Sequence, residues 1–147
     1  MTNNLIEIIK EETGLMRKKI SKNLSDMIQY VLWDPQNYKE AGDTTMSKDL
    51  KQIRIRLNVR LFRAYFEEVS LEETRQFIRV VIRHETFHAF QWAWVSLKYG
   101  YHGIDKMRSY INNHPYETSI LEKGAKDYEN EKTFVVQDFE KDLKIFA

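Results

Sequence analysis

An uninterrupted helical register from Ser70 to about Lys98, carrying the pentapeptide His84-Glu85-Thr86-Phe87-His88, constrains this chain more than any other segment. Ser70-Leu71-Glu72-Glu73 fits a capping box, in which the serine side chain and Glu73 satisfy orphan backbone amides, so a helix begins near Leu71. No proline or glycine interrupts it before Gly100. At about 100° per residue, Phe77, Val80, Val81, His84, His88, Gln91 and Val95 share one face, while Arg75, Arg79 and Arg83 lie on the other side. Beyond Phe87 the helix turns apolar nearly all round, with Phe90, Trp92 and Trp94, which predicts that its second half is buried in the core.

H-E-x-x-H on a helix is the minimal apparatus for zinc-assisted hydrolysis. Two histidines four apart stack on one helical face, so both imidazoles reach one metal ion, and the glutamate projects beside them where it can take a proton from an activated water. Burying this ionisable trio on an apolar helix would cost several kcal/mol unless the groups are paired or bound to metal. A catalytic zinc takes three protein ligands and keeps one position open, so a third ligand must come from elsewhere. The long signature H-E-x-x-H-x-x-G-x-x-H would put glycine at Gln91 and histidine at Trp94, and neither is present. The remaining candidates are His102, Asp105, His114, Glu117, Glu122, Asp127 and Glu129. Glu117 stands out, falling just after Asn113-His114-Pro115 at the predicted start of the next helix.

The chain of 147 residues suits a single domain, 1–147, and 42% apolar against 31% charged residues reads as an ordinary globular protein. A net charge of +1 gives no electrostatic footprint for nucleic acid or an anionic membrane. The absence of cysteine leaves only His, Asp and Glu to hold a metal. The opening MTNNLIEIIKEETG has no basic region ahead of its short apolar run, and no stretch is apolar enough to span a bilayer, so a cytoplasmic protein is expected.

Helical spacing predicts helices over residues 4–12 and 20–33, the second closed by Asp34-Pro35. The segment from there to Met46, with Gly42 and Asp43, reads as a surface connection. Strict alternation of Ile53, Ile55, Leu57, Val59 and Leu61 with Arg54, Arg56, Asn58 and Arg60 predicts a half-buried strand with a solvated arginine face, although Leu50, Ile53, Leu57, Leu61 and Ala64 also fit a helix. Residues 100–103 read as a loop and 104–111 as a short helix. Pro115 opens a helix through Tyr116 and Glu117 to about Glu131. The tail from Thr133 to Ala147 fits a strand, a helix or both.

Val80-Val81-Ile82-Arg83-His84-Glu85-Thr86-Phe87-His88-Ala89-Phe90-Gln91 and Tyr110-Ile111-Asn112-Asn113-His114-Pro115-Tyr116-Glu117 together resemble gluzincin-type metallopeptidases, especially the small single-domain minigluzincin-like proteins. The resemblance covers roughly residues 53 to 130. It implies an α+β, zincin-like fold: mostly helical, with a small β-sheet beside the active-site helix and a second helix carrying a glutamate ligand. It further implies one Zn2+ per chain held by His84, His88 and Glu117, Glu85 as general base, and a peptide or protein substrate. Such families place a small residue, often alanine, three positions after the ligand glutamate. Ile120 occupies that position for Glu117 and Ala125 for Glu122, which makes Glu122 the alternative ligand. Tyr110, His114 and Tyr116 are candidates to stabilise the oxyanion of peptide hydrolysis. The competing expectations are a zinc-binding interaction or effector module, or a latent enzyme, on the same fold, and a metal-free helical protein. A monomer is the default state.

Overall fold

The computed structural model describes residues 2–37, 39–129 and 136–147. Helix α1 (Thr2–Lys19) leads into a short α2 (Lys22–Met27), capped by the Ser21 side chain, which accepts from the Leu24 amide. Strand β1 (Ile28–Trp33) follows, where helical spacing had predicted that the helix would continue to residue 33. Over so short an apolar run the two periods overlap. Here a β-branched and aromatic segment, Ile28-Gln29-Tyr30-Val31-Leu32-Trp33, finds a strand partner and takes the extended form.

That partner is β3 (Ile53–Asn58), which runs parallel to β1 with Ile28 opposite Ile53, Tyr30 opposite Ile55 and Leu32 opposite Leu57. On its other side β3 pairs antiparallel with β2 (Gly42–Met46), giving the order β1-β3-β2 with β2 at an edge. The segment expected to be a surface connection thus supplies a strand. Its Gly-Asp start reads locally as a turn, and only pairing with distant β3 makes it extended. Ile53, Ile55 and Leu57 are fully buried, as the alternation predicted. The alternation fails beyond Asn58, whose side chain accepts from the Leu61 amide and caps α3 (Val59–Glu68). On the arginine face Arg56 pairs with Asp43 and lies over the Trp33 ring at 3.9 Å, Arg60 pairs with Asp34 at 2.8 Å, and Arg54 is exposed.

Helix α4 (Leu71–Asn113) starts at Ser70, whose side chain accepts from the Glu73 amide. It runs past the predicted loop at 100–103. Only Gly100 leaves helical geometry, with φ 62°, and the helix resumes at once after the kink. A left-handed residue interrupts one turn and redirects the axis, and glycine adopts that conformation without the steric penalty of a Cβ. His114 ends the helix. Tyr116–Thr118 form one 3-10 turn instead of opening a helix at Pro115, and α5 (Ile120–Glu129) starts later, its first amide donating to the Tyr110 hydroxyl at 3.0 Å. The tail forms α6 (Val136–Leu143) and a final 3-10 turn, Lys144–Phe146, with Leu143 and Phe146 buried.

Among the described residues the chain is α+β, mostly helical, with one small three-stranded sheet. Its core lies between the sheet and α4, where Ile53, Ile55 and Leu57 meet Ile78 and Ile82, and α1 adds Leu5, Ile8 and Ile9. Among the described residues no helix is long and apolar enough to cross a membrane.

One buried ion cluster ties α1 to α4. Glu12, with a side chain 2% exposed, accepts from Arg79 Nε at 3.0 Å and Nη2 at 2.8 Å, and Arg75 Nη1 stands 3.4 Å away. Burial works against its ionisation, but Arg79 and then Arg75 outweigh it and hold the carboxyl below its ordinary value of 4.5. A carboxyl depressed in the folded state stabilises it above the unfolded value and loses that contribution as pH falls through the folded one. Glu12→Gln is therefore expected to lower the urea midpoint at pH 7 and to flatten its decline below about pH 4.5, seen by comparing melts of both proteins from pH 7 to pH 3. An unchanged acid limb would remove Glu12 as its source.

Candidate metal centre

His84 and His88, one helical turn apart on α4, are 8% and 9% exposed, and their rings meet edge to face at 4.9 Å. Glu85 between them is 7% exposed. The cleft they line, of about 770 Å³, lies between edge strand β2 on one side and the second half of α4 with α5 on the other. Helix α5 reaches α4 closely because of Gly124. A Cβ there would stand 2.9 Å from Phe87 Cε1 and 3.3 Å from Gln91 Nε2, so a larger residue would force the Phe87 ring or the helix itself to shift. Ala125 beside it is fully buried.

That approach brings Glu122 onto both histidines. Its Oε2 is 2.9 Å from His84 Nε2 and its Oε1 is 2.9 Å from His88 Nε2. Each imidazole is oriented from behind. His88 Nδ1 is 2.7 Å from Gln91 Oε1, and Gln91 Nε2 donates to the Leu121 carbonyl at 3.1 Å, which fixes the amide so that its oxygen faces the ring. His84 Nδ1 is 3.1 Å from Glu129 Oε2. An acceptor behind each ring makes Nδ1 the protonated nitrogen in a neutral imidazole and leaves the Nε2 lone pair pointing at the Glu122 carboxylate. Lone pairs facing lone pairs at hydrogen-bond distance need a cation or extra protons between them. His88 Nε2 shows the mismatch directly, being buried, close to Glu122 Oε1 and without hydrogen-bond geometry.

Electrostatics in the cleft follow from this convergence. Burial pushes His88 down, but Glu122 and Glu85 push it up further, so its imidazole sits above the ordinary range. Burial would raise Glu122 as well, yet the two histidines outweigh it and hold the carboxyl far below the usual carboxylate range. Glu85 is raised by burial, against the lowering influence of His88, His84 and Thr44. Thr44 Oγ1 donates to Glu85 Oε1 at 2.8 Å and lies 3.0 Å from the Glu85 carbonyl oxygen, so β2 clamps this side chain.

Of the candidates from sequence, His84, His88 and Glu122 form the one group of metal-ligating side chains among the described residues, with ligand atoms within 4.8 Å of one another. The backbone of Glu117 lies on the 3-10 turn ahead of α5, and its side chain lies outside the described residues. His102 and Asp105 are exposed on the second half of α4. Tyr110 spends its hydroxyl on the start of α5, and His114 stacks on the Tyr110 ring at 3.7 Å. Tyr116 lines the cleft, and burial together with the neighbouring Glu122 carboxylate raises its pKa, so it stays protonated at neutral pH. Sequence spacing held the signal for Gln91, one turn beyond His88. Nothing local pointed to Thr44, which arrives through sheet pairing.

Removing an orienting partner typically weakens metal binding 10- to 100-fold. If His84 and His88 hold a metal such as zinc, Gln91→Leu, similar in size but unable to accept from His88, should weaken its binding by about that factor with little change in helicity. Competition titration against a chelator reads the difference, and an unchanged affinity would assign Gln91 to packing alone.

The chain matches no family model, no curated protein and no solved structure with which it was compared.

Proposed function

We propose that this chain is a zinc-dependent peptidase with a zincin-like site, in which His84, His88 and Glu122 hold the metal and Glu85 is the general base. The carrying observation is the convergence of two buried Nε2 atoms on one carboxylate while both Nδ1 atoms are committed to other acceptors. Two imidazoles and a carboxylate are a donor set suited to catalytic zinc. In this assignment the third ligand is the alternative glutamate of the sequence, Glu122, with Ala125 at the helix contact three residues on. Bound zinc supplies Lewis-acid activation of water and of the scissile carbonyl.

The chain's own groups supply the rest. Glu85, raised by burial and held by Thr44, takes a proton from the attacking water and passes it to the leaving amine. Tyr116, which lines the cleft and stays protonated, is the sequence candidate best suited to donate to the oxyanion, since Tyr110 spends its hydroxyl on α5 and His114 stacks on the Tyr110 ring. Strand β2 lies at the sheet edge along the cleft, and an extended peptide can pair with such an edge through main-chain hydrogen bonds. The test is hydrolysis of an unbiased peptide library by zinc-loaded protein, set against its Glu85→Gln variant. Equal action by the two would leave a metal-binding module without peptidase activity.

A further inference from the structure

Glu129, at the end of α5, uses only half of its acceptor capacity. One oxygen, Oε2, serves His84 Nδ1 at 3.1 Å, and no hydrogen bond or ion pair among the described residues engages the other. The side chain is 20% exposed and lines the cleft. No Lys or Arg is among the described residues that line the same cleft. Its other carboxylates are Glu40, Asp43, Glu85 and Glu122, and each has an interaction of its own: Asp43 is paired with Arg56, Glu85 is held by Thr44, Glu122 faces the histidines, and Glu40 is engaged as well. The Lys126 ammonium on the same helix lies over the Tyr116 ring at 5.0 Å. The same cleft opens onto the metal position, where His88 Nε2 is buried 2.9 Å from Glu122 Oε1 without hydrogen-bond geometry.

We propose that Glu129 receives a cationic group of the bound peptide, an ammonium or guanidinium, on the His84 side of the metal centre. The proposal rests on the reading of this cleft as a peptide site. A half-used carboxylate in a cleft wall without lysine or arginine favours a cationic partner, and partial burial strengthens such a pair relative to bulk water. The cation has two sources in a peptide, its amino terminus or a lysine or arginine side chain, and both meet the carboxylate with N–H donors.

The experiment uses zinc-loaded Glu85→Gln protein, which keeps the cleft and is not expected to turn over. Four fluorescent peptides of one apolar sequence are compared by anisotropy, with a free or acetylated amino terminus and with lysine or norleucine at one internal position. The expected result is about tenfold tighter binding of a cationic peptide over the doubly neutral one, shrinking with added salt. A preference that follows the free amino terminus identifies the α-ammonium as the cation, and one that follows lysine identifies the side chain. Adding Glu129→Gln should erase the preference while an amide oxygen still accepts from His84. Equal affinity of all four peptides, binding of none, or a preference that survives Glu129→Gln overturns the proposal. The peptidase reading is judged separately, by zinc content and hydrolysis in the unsubstituted protein, so the two fail in distinguishable ways.

Discussion

Zinc-loaded Glu85→Gln protein is expected to cleave peptides about a thousandfold more slowly than the unsubstituted chain, with zinc content unchanged and KM within a few fold. The expected loss is one of proton transfer. Glu85 is not among the groups that converge on the metal position, so removing its charge leaves the ligand set intact. Glutamine keeps the side-chain length and an oxygen for the Thr44 hydroxyl, so the clamp from β2 survives. What disappears is a carboxylate able to take a proton, and positioned general bases contribute roughly 10²- to 10⁴-fold. The loss should therefore fall on kcat. Metal analysis beside single-turnover kinetics checks both halves. A variant that keeps zinc and full activity would remove Glu85 as the base, and one that loses zinc would place it among the ligands.

The expected pattern depends on a site that was only partly legible in the sequence. His84, Glu85 and His88 could be read because their relation is local: helical spacing alone stacks two imidazoles and sets a carboxylate beside them. Gln91 was legible in the same way, as the next position on that face. Thr44 was not, because Gly42-Asp43-Thr44 is extended only through pairing with β3, and the contact with Glu85 spans the whole sheet-to-helix layer. The fold divided along the same line. The first part of α4, to about Lys98, followed from its cap and its lack of breakers, whereas its continuation through the predicted loop at 100–103 did not. The boundary between α2 and β1 did not, since Ile28 to Trp33 satisfies both periods and a parallel partner in β3 decides between them. Beyond Asn58 the reverse occurred, where a side-chain cap converted predicted strand into helix.

Glu122→Ala is expected to weaken zinc binding by more than about 100-fold, exceeding the 10- to 100-fold range typical of orienting partners, because it removes a ligand instead of a support. The same change at Glu117 should leave affinity within about threefold, below the effect of an orienting group. The contrast follows from the paths by which the two glutamates reach the site. Glu117 sits on a 3-10 turn ahead of α5, whereas Glu122 lies on the first turn of α5, where Gly124 and Ala125 let that helix press against Phe87 and Gln91. Close helix approach places the Glu122 carboxylate 2.9 Å from both Nε2 atoms. Its loss leaves two neutral imidazoles, too few for a catalytic zinc site. It also removes the strongest influence raising His88, so without metal the imidazole should lose its proton at lower pH in Glu122→Ala, a shift that NMR titration of the ring reads independently of zinc. Zinc lost from Glu117→Ala and retained by Glu122→Ala would reverse the assignment and make the turn, not the helix, the source of the third ligand.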